Sequence, residues 1–428
     1  MVPTVSAGQT MGQSFEKVSG ADLTGREISI FPIRFEIRDF RGGIRMVKRI
    51  TRRDFARSAA VTAAATYFSP GGVAIDNSHL QPEKTVVTDA MDQALEIFAN
   101  TGTEFGGGFS NHGPMGAEAL VAMGRADAVK GWSEGYKQRL GPHERQGRPV
   151  AKEEWPRALG DFNRVADWMA FFLREMQEAA WQEVLKQWTP RLSPGLSAAA
   201  MHGLLRTAHA VRSLARKETS ARRRELAEGL AYWAARYQIL PTHSDKRSGR
   251  LTPSEAVKQI EFLPVERRLR GSIVAGLRGL DGFEPFTGVA DMVDPKTDAA
   301  RFLSDLTETF ANSYLANVRY GNAIAHIHAV TGPSAVRLLL PFVPPEAQSG
   351  LLRYSWQATA AIFAAFGRTS EFGPFEFKEW KREDLIDRAV TGGDEHAIKF
   401  TEACLREYTA NPKPVYLTAA FDVVNRLG

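Results

Sequence analysis

The chain has 428 residues, a formal net charge of +5, one cysteine and 43% hydrophobic residues, enough to bury a large core but excluding an intramolecular disulfide. Residues 1–74 hold eleven Lys/Arg and six Asp/Glu, which is the whole of the +5. The remaining body is neutral, so nothing is left to grip a phosphate backbone and nucleic acid is not an expected partner.

Residues 1–45 show no sustained period and read as an extension outside the native protein, with Met46 as the expected start. Residues 46–74 have the order of a twin-arginine signal peptide. Arg52-Arg53 is followed by Phe55 and Arg57, then by the apolar run Ser58–Phe68, and a small-residue stretch ends at Ala74. The run is too short to anchor in a bilayer, and no later run approaches spanning length. The expectation is an exported, soluble body over residues 75–428, periplasmic or secreted. If the signal is not used, the protein stays cytoplasmic.

That body reads as helix almost throughout. The apolar period predicts helices over 86–98, 155–188, 196–215, 225–237, 302–330, 335–340, 351–366, 384–390, 395–408 and 416–426. In 155–188 the stripe Leu159, Phe162, Val165, Met169, Phe172, Met176 and Trp181 reads as core. The basic run Arg222–Arg224, followed by Glu225 and Glu228, reads as a solvated helix face. Residues 242–253 are a polar turn region and the candidate boundary between two lobes. Alternating strand signals are nearly absent. The fold class is all-α, one large multi-helix domain or two helical lobes, with a metal site between helices.

The candidate chemistry begins at Gly106-Gly-Gly-Phe-Ser-Asn-His112-Gly-Pro-Met-Gly-Ala-Glu118. Three glycines loosen the backbone ahead of a histidine, and Pro114 suits the opening turn of a helix that Gly124 ends. No dinucleotide fingerprint, phosphate-loop lysine or zinc-protease motif occurs. His202 and His209 lie seven apart and share a helix face, so either could serve a site with the other behind it. His326 and His328 point opposite ways; His328, expected at the closing turn of a long helix, is the better candidate. His143 and His243 sit in turns and are expected on the surface. Asp394-Glu-His396-Ala-Ile-Lys399 is the sharpest local signal. Asp394 is a helix cap there, and His396 and Lys399 share a face. A buried lysine must lose its charge or find a partner, and carboxylation by carbon dioxide turns it into a metal-binding carboxylate.

The series of blocks Asn111–Leu120, Trp132–Leu140, Pro194–Arg206, His328–Arg337 and His396–Glu402 resembles the questin oxidase family of helical oxidoreductases. The resemblance implies oxidative ring opening of anthraquinone-like quinones or hydroquinones. In some members this is a Baeyer–Villiger-type reaction using NADPH; in others it is a dioxygenation at mononuclear non-haem iron. Carried onto this chain, the metal ligands are His112, His202, His328, His396 and a carboxylated Lys399, with Fe(II) as the metal. The partners are a small aromatic substrate and dioxygen. Phe109, Trp132, Tyr136, Phe172, Tyr320 and Trp356 are the rings expected to line the substrate cleft. Two alternatives stay open: a metal-free, NADPH-dependent monooxygenase, and a non-catalytic helical ligand-binding protein.

Overall fold

Helix follows helix around a core of aromatic and aliphatic side chains. The computed structural model describes residues 89–144, 147–243, 249–296, 298–373 and 375–428; the expected N-terminal extension and export signal lie outside the described residues. The longer helices are α1 (Ala90–Phe98), α2 (Gly113–Ala122), α3 (Ala126–Lys137), α4 (Val165–Glu178), α5 (Trp181–Leu192), α6 (Ala198–Arg216) and α7 (Ser220–Ala235). They continue as α8 (Ala299–Asn317), α9 (Ala323–Leu339), α10 (Pro345–Phe366), α11 (Arg382–Gly392), α12 (Glu395–Ala410) and α13 (Pro414–Leu427). One hairpin interrupts the helices among the described residues: β1 (Glu104–Phe105) pairs antiparallel with β2 (Phe109–Ser110). The all-α expectation holds, and the exception lies beside the site.

The helix starts follow local chemistry. Asp89 caps α1 by accepting from Met91 N at 2.8 Å, and Asp394 caps α12 by accepting from His396 N at 2.8 Å and Ala397 N at 3.0 Å. Gly124 and Gly393 follow their helices with positive φ, as left-handed C-caps do.

Two long helices expected from periodicity are broken. Ala179 and Ala180 are extended and separate α4 from α5. Gly321 and Asn322, with φ of +99° and +57°, separate α8 from α9. His328 therefore stands near the start of α9 rather than at the end of a helix, and α9 runs on through Pro333 to Leu339. Hydrophobic period survives such breaks because both pieces bury the same kind of face, so period alone does not mark them.

The expected aromatic stripe is core. Trp168, Phe171, Phe172 and Trp188 are all within 2% of full burial and meet with ring centroids 5.0–5.7 Å apart. Residues 242–253 do not divide the body. His243 N bonds Thr287 O at 2.8 Å and Gly249 N bonds Val293 O at 3.0 Å, tying this stretch into one unit spanning Lys84–Gly428.

Arg222 is not on a solvated face. It is buried and pairs with Asp92 at 2.8 Å and Asp89 at 2.7 Å, so α7 is clamped to α1 by charge. His143 is half-buried, 3.5 Å from Glu228. Contrary to expectation, Ala323–Phe342 is long and apolar enough to cross a membrane by length and composition, with mean hydropathy 1.2; 72% of that window is buried in the bundle, which accounts for its apolarity.

Candidate metal centre and its cavity

Four helices meet at one place, and each brings one histidine. α2 packs on α6 and α12, and α9 packs on α6 and α12. His112 immediately precedes α2, His202 belongs to α6, His328 to α9 and His396 to α12.

The loop that carries His112 is held by its own polar groups. Asn111 Nδ2 donates to Gly102 O at 2.9 Å, Asn111 Oδ1 accepts from Gly113 N at 2.9 Å, and His112 N donates to the Tyr136 hydroxyl at 3.0 Å. His112 occupies the cap position of α2, yet its side chain caps nothing. The ring is free for another partner.

That partner is the cluster. His112 Nε2 lies 2.5 Å from His202 Nε2, and His328 Nε2 lies 3.1 Å from the same atom. The His396 ring stands 4.7 Å from that of His112 and 5.9 Å from that of His328, centroid to centroid. The outer nitrogens explain the orientation. His202 Nδ1 donates to Ala199 O at 2.5 Å and His328 Nδ1 donates to Ile324 O at 2.6 Å. Each ring spends its proton on a backbone carbonyl and turns an unprotonated Nε2 inward.

Burial pushes His112 and His202 well below the ordinary imidazole range, helped at His112 by Lys399, His396 and His328 and at His202 by His112, His328 and Lys399. Burial, with His396 and Lys399, takes His328 down to about 3. Neutral imidazoles with facing lone pairs repel one another unless a cation or a proton sits between them. The donor set thus fits a metal ion.

Lys399, 4% exposed, lies one turn after His396. Burial lowers its ammonium to about 8, against the upward pull of Glu395 and Asp394. The four expected histidines come together, and the Lys399 charge acts on three of them, although Lys399 itself is not a lining residue of the cavity they share.

One acid missed in the sequence joins them. Glu395 Oε1 lies 3.7 Å from His112 Nδ1, which has no hydrogen-bond partner, and ligand atoms of His112, Glu395 and His396 lie within 4.8 Å of one another. Arg139 binds Glu395 through two contacts of 2.9 and 3.1 Å, which holds its carboxyl below its usual value although burial pulls the other way. The available signal was its position four residues before Lys399, one helical turn away.

The backbone at the site is strained. Ala199, Ala200 and Met201 have φ of +47°, +57° and +69°, a left-handed turn without glycine just before His202. This turn places the Ala199 carbonyl where His202 Nδ1 reaches it. Of the other histidines, His209 does not join the cluster; its Nδ1 bonds Glu118 Oε2 at 2.8 Å. His326 is buried, with Nε2 unpartnered.

The cluster opens into a cavity of about 1060 Å³, lined by His112, His202, His328 and His396 together with the hairpin, Ala199 and Ala200. Such a volume accommodates a polycyclic aromatic. Its rings are Phe105, Phe109 and Phe366. Of the rings expected there, only Phe109 is a lining residue. Phe172 and Trp356 are buried in the core, and Tyr320 lies on the surface. Tyr136 and Trp132 stack at 5.2 Å behind the His112 loop, where Trp132 Nε1 donates to Gly393 O at 2.9 Å. Adjacency in sequence to a motif did not predict which side of the wall a ring takes.

A family model described as questin oxidase-like matches residues 109–404, a span that begins in the hairpin and ends after Lys399. No curated protein matches the chain. With more than half of its length matched, the chain belongs to the questin oxidase-like family, and that membership suggests an oxidoreductase acting on anthraquinone-like substrates.

Proposed function

We propose that this protein is a mononuclear non-haem iron oxygenase that opens or oxygenates a ring of an anthraquinone-like quinone or hydroquinone. The observation that carries this reading is the convergence of three buried Nε2 atoms, those of His112 and His328 lying 2.5 and 3.1 Å from that of His202, on the wall of an aromatic-sized cavity. His112, His202, His328 and His396 would hold the metal, and Lys399, as its carbamate, would supply the anionic donor. Ferrous iron bound there supplies the electron that dioxygen needs to react with a closed-shell substrate.

The chain's own residues do the rest. The carbonyls of Ala199 and Ile324 keep the Nδ1 protons of His202 and His328 turned outward. A lysine held at about 8 has a neutral fraction at neutral pH that can attack carbon dioxide. Phe105, Phe109 and Phe366 offer apolar surface to a planar ring system. In a dioxygenation both oxygen atoms end in the product, so no NADPH is consumed.

The test combines metal analysis with oxygen uptake. Purified protein should hold about one iron per chain and consume oxygen with a hydroxyanthraquinone or its hydroquinone, with ferrous iron and without NADPH. Carbon-13 bicarbonate should give a carbamate resonance that Lys399→Ala removes. Unchanged turnover in iron-stripped protein rejects the reading, and strict NADPH dependence favours a metal-free monooxygenase. A missing carbamate together with iron loss in Glu395→Gln would move the anionic donor to Glu395.

A further inference from the structure

Ser110, Tyr232 and Glu104 form a hydrogen-bonded row along the cavity wall. Glu104 and Ser110 are cross-strand partners in the hairpin, and both line the cavity. Both also reach the same residue of α7. Tyr232 donates its hydroxyl proton to Glu104 Oε1 at 2.7 Å, and Ser110 Oγ lies 2.6 Å from the Tyr232 oxygen. A phenol has one proton. With that proton given to Glu104, the Tyr232 oxygen accepts from Ser110, and the lone pairs of Ser110 are left for a donor inside the cavity.

Tyr232 is 1% exposed and Ser110 6%, and the Glu104 side chain, 9% exposed, meets solvent through the cavity it lines. Arg236 holds the far end, with Nε 2.8 Å from Glu104 Oε1 and its guanidinium stacked 3.7 Å from the centre of the Phe162 ring.

We propose that this row is a proton relay that ionises a phenolic substrate, which makes a free phenol a requirement of the substrate class. The inference rests on the reading of the cavity as the aromatic substrate site. The substrate O–H bond breaks and its proton passes to Ser110 Oγ. The Ser110 proton passes to the Tyr232 oxygen, and the Tyr232 proton passes to the Glu104 carboxylate. The row ends with a phenolate in the cavity and a neutral Glu104, which releases its proton to water. No electrons move between molecules, and the phenolate is the more electron-rich form for reaction with oxygen.

The charged groups around the relay favour the phenolate, and Arg236, paired with the Glu104 carboxylate, favours passing the proton on to water. Arg236, just after α7, faces Glu104, Arg139, just after α3, lies against Phe105 of the hairpin, and Arg278, Glu395 and the four histidines line the rest of the cavity. With the proton released, three arginines face two lining carboxylates and the new phenolate.

The same contacts fasten the hairpin to α7, and the experiment separates the two roles. The probe is 2-hydroxyanthraquinone, whose visible band moves to longer wavelength on ionisation and whose phenol has no neighbouring oxygen with which to chelate a metal. Titrated while bound to the full-length protein, it should ionise at least about one pH unit below its value in buffer, a tenfold change in the ratio of the two forms. Ser110→Ala, Tyr232→Phe and Glu104→Gln should each return it toward the buffer value while the dye still binds, and 2-methoxyanthraquinone should bind without a colour change. A lowered melting temperature with an unchanged dye titration makes the row structural and overturns the relay. So does a shift that survives all three substitutions, because a nearby cation alone then explains it. Saturable binding without any shift overturns the relay and leaves the proposed oxygenase standing. No saturable binding of either dye overturns both.

Discussion

Two kinds of polar residue are buried in this protein, and they answer to pH in opposite ways. Burial lowers His112, His202 and His328, which face one another, whereas the charged groups behind them are paired. Glu118 bonds His209 at 2.8 Å and binds Arg212, which also binds Glu402, and Glu402 holds Arg406 at 3.0 Å. Burial alone would raise the Glu118 carboxyl, but Arg212 and His209 overcome it and hold the group at about 2, against an ordinary 4.5. A carboxyl depressed in the folded state stabilises the protein fully above its unfolded value and ceases to do so as pH falls through the folded one. The window therefore runs from about 4.5 down to about 2, and the contribution is on the order of 3 kcal/mol. Glu118→Gln should cost about 3–5 kcal/mol at neutral pH, because it leaves Arg212 short of a partner in the interior. Urea unfolding of both proteins at a series of pH values checks this: the gap should narrow below pH 4.5, and a constant gap would show that the Glu118 charge is not what matters. His209→Ala, which touches this network and not the cluster, should leave iron content unchanged while lowering stability by about 1–3 kcal/mol.

At the scale of elements, α6 is where packing and chemistry meet. Gly203, next to His202, lies against α7 so closely that an added Cβ would stand 2.5 Å from Trp233 Cα, a backbone atom that cannot turn aside. Gly203→Ala should therefore force α6 and α7 apart, costing about 1–3 kcal/mol and displacing His202. Calorimetry and metal content should fall together in this variant; a loss of stability with full metal retained would show that the cluster tolerates movement of α6. The left-handed turn at Ala199–Met201 makes a separate prediction. Ala200→Gly removes the Cβ that makes φ of +57° costly, so it should leave stability unchanged or raise it by up to about 1 kcal/mol. Ala200→Val, β-branched in the same turn, should destabilise clearly. If the glycine variant is the less stable of the two, the turn is not strained. The hairpin is simpler: Gly106, Gly107 and Gly108 all have positive φ, and they carry the chain from Phe105 back to Phe109 in three residues.

For the whole molecule, a metal bound at the proposed site would be a cross-link between the first and last parts of the body. Ligand bound only by the folded state stabilises it by mass action, so iron removal with a chelator should lower the melting temperature, and restored ferrous iron should raise it again. A melting curve indifferent to iron would dissociate metal from fold. The sequence by itself determined the helical class, the cap at Asp394, the glycine stop at Gly124, and the loop histidine ahead of α2. These depend on neighbours within about a turn, where i, i+4 spacing and capping chemistry act directly. It also carried, through resemblance to a family, the four histidines that cluster, although nothing in their spacing brings them together. Only the packing of α2, α6, α9 and α12 decides that their imidazoles meet, and only packing decides the breaks at Ala179–Ala180 and Gly321–Asn322. The left-handed turn before His202, the turning of Glu395 toward His112, and the choice of Phe105 and Phe366 over Phe172 and Trp356 for the cavity wall have the same origin. Each depends on which residues distant in the chain arrive at the same surface, and a pattern read along one helix contains no term for its neighbours.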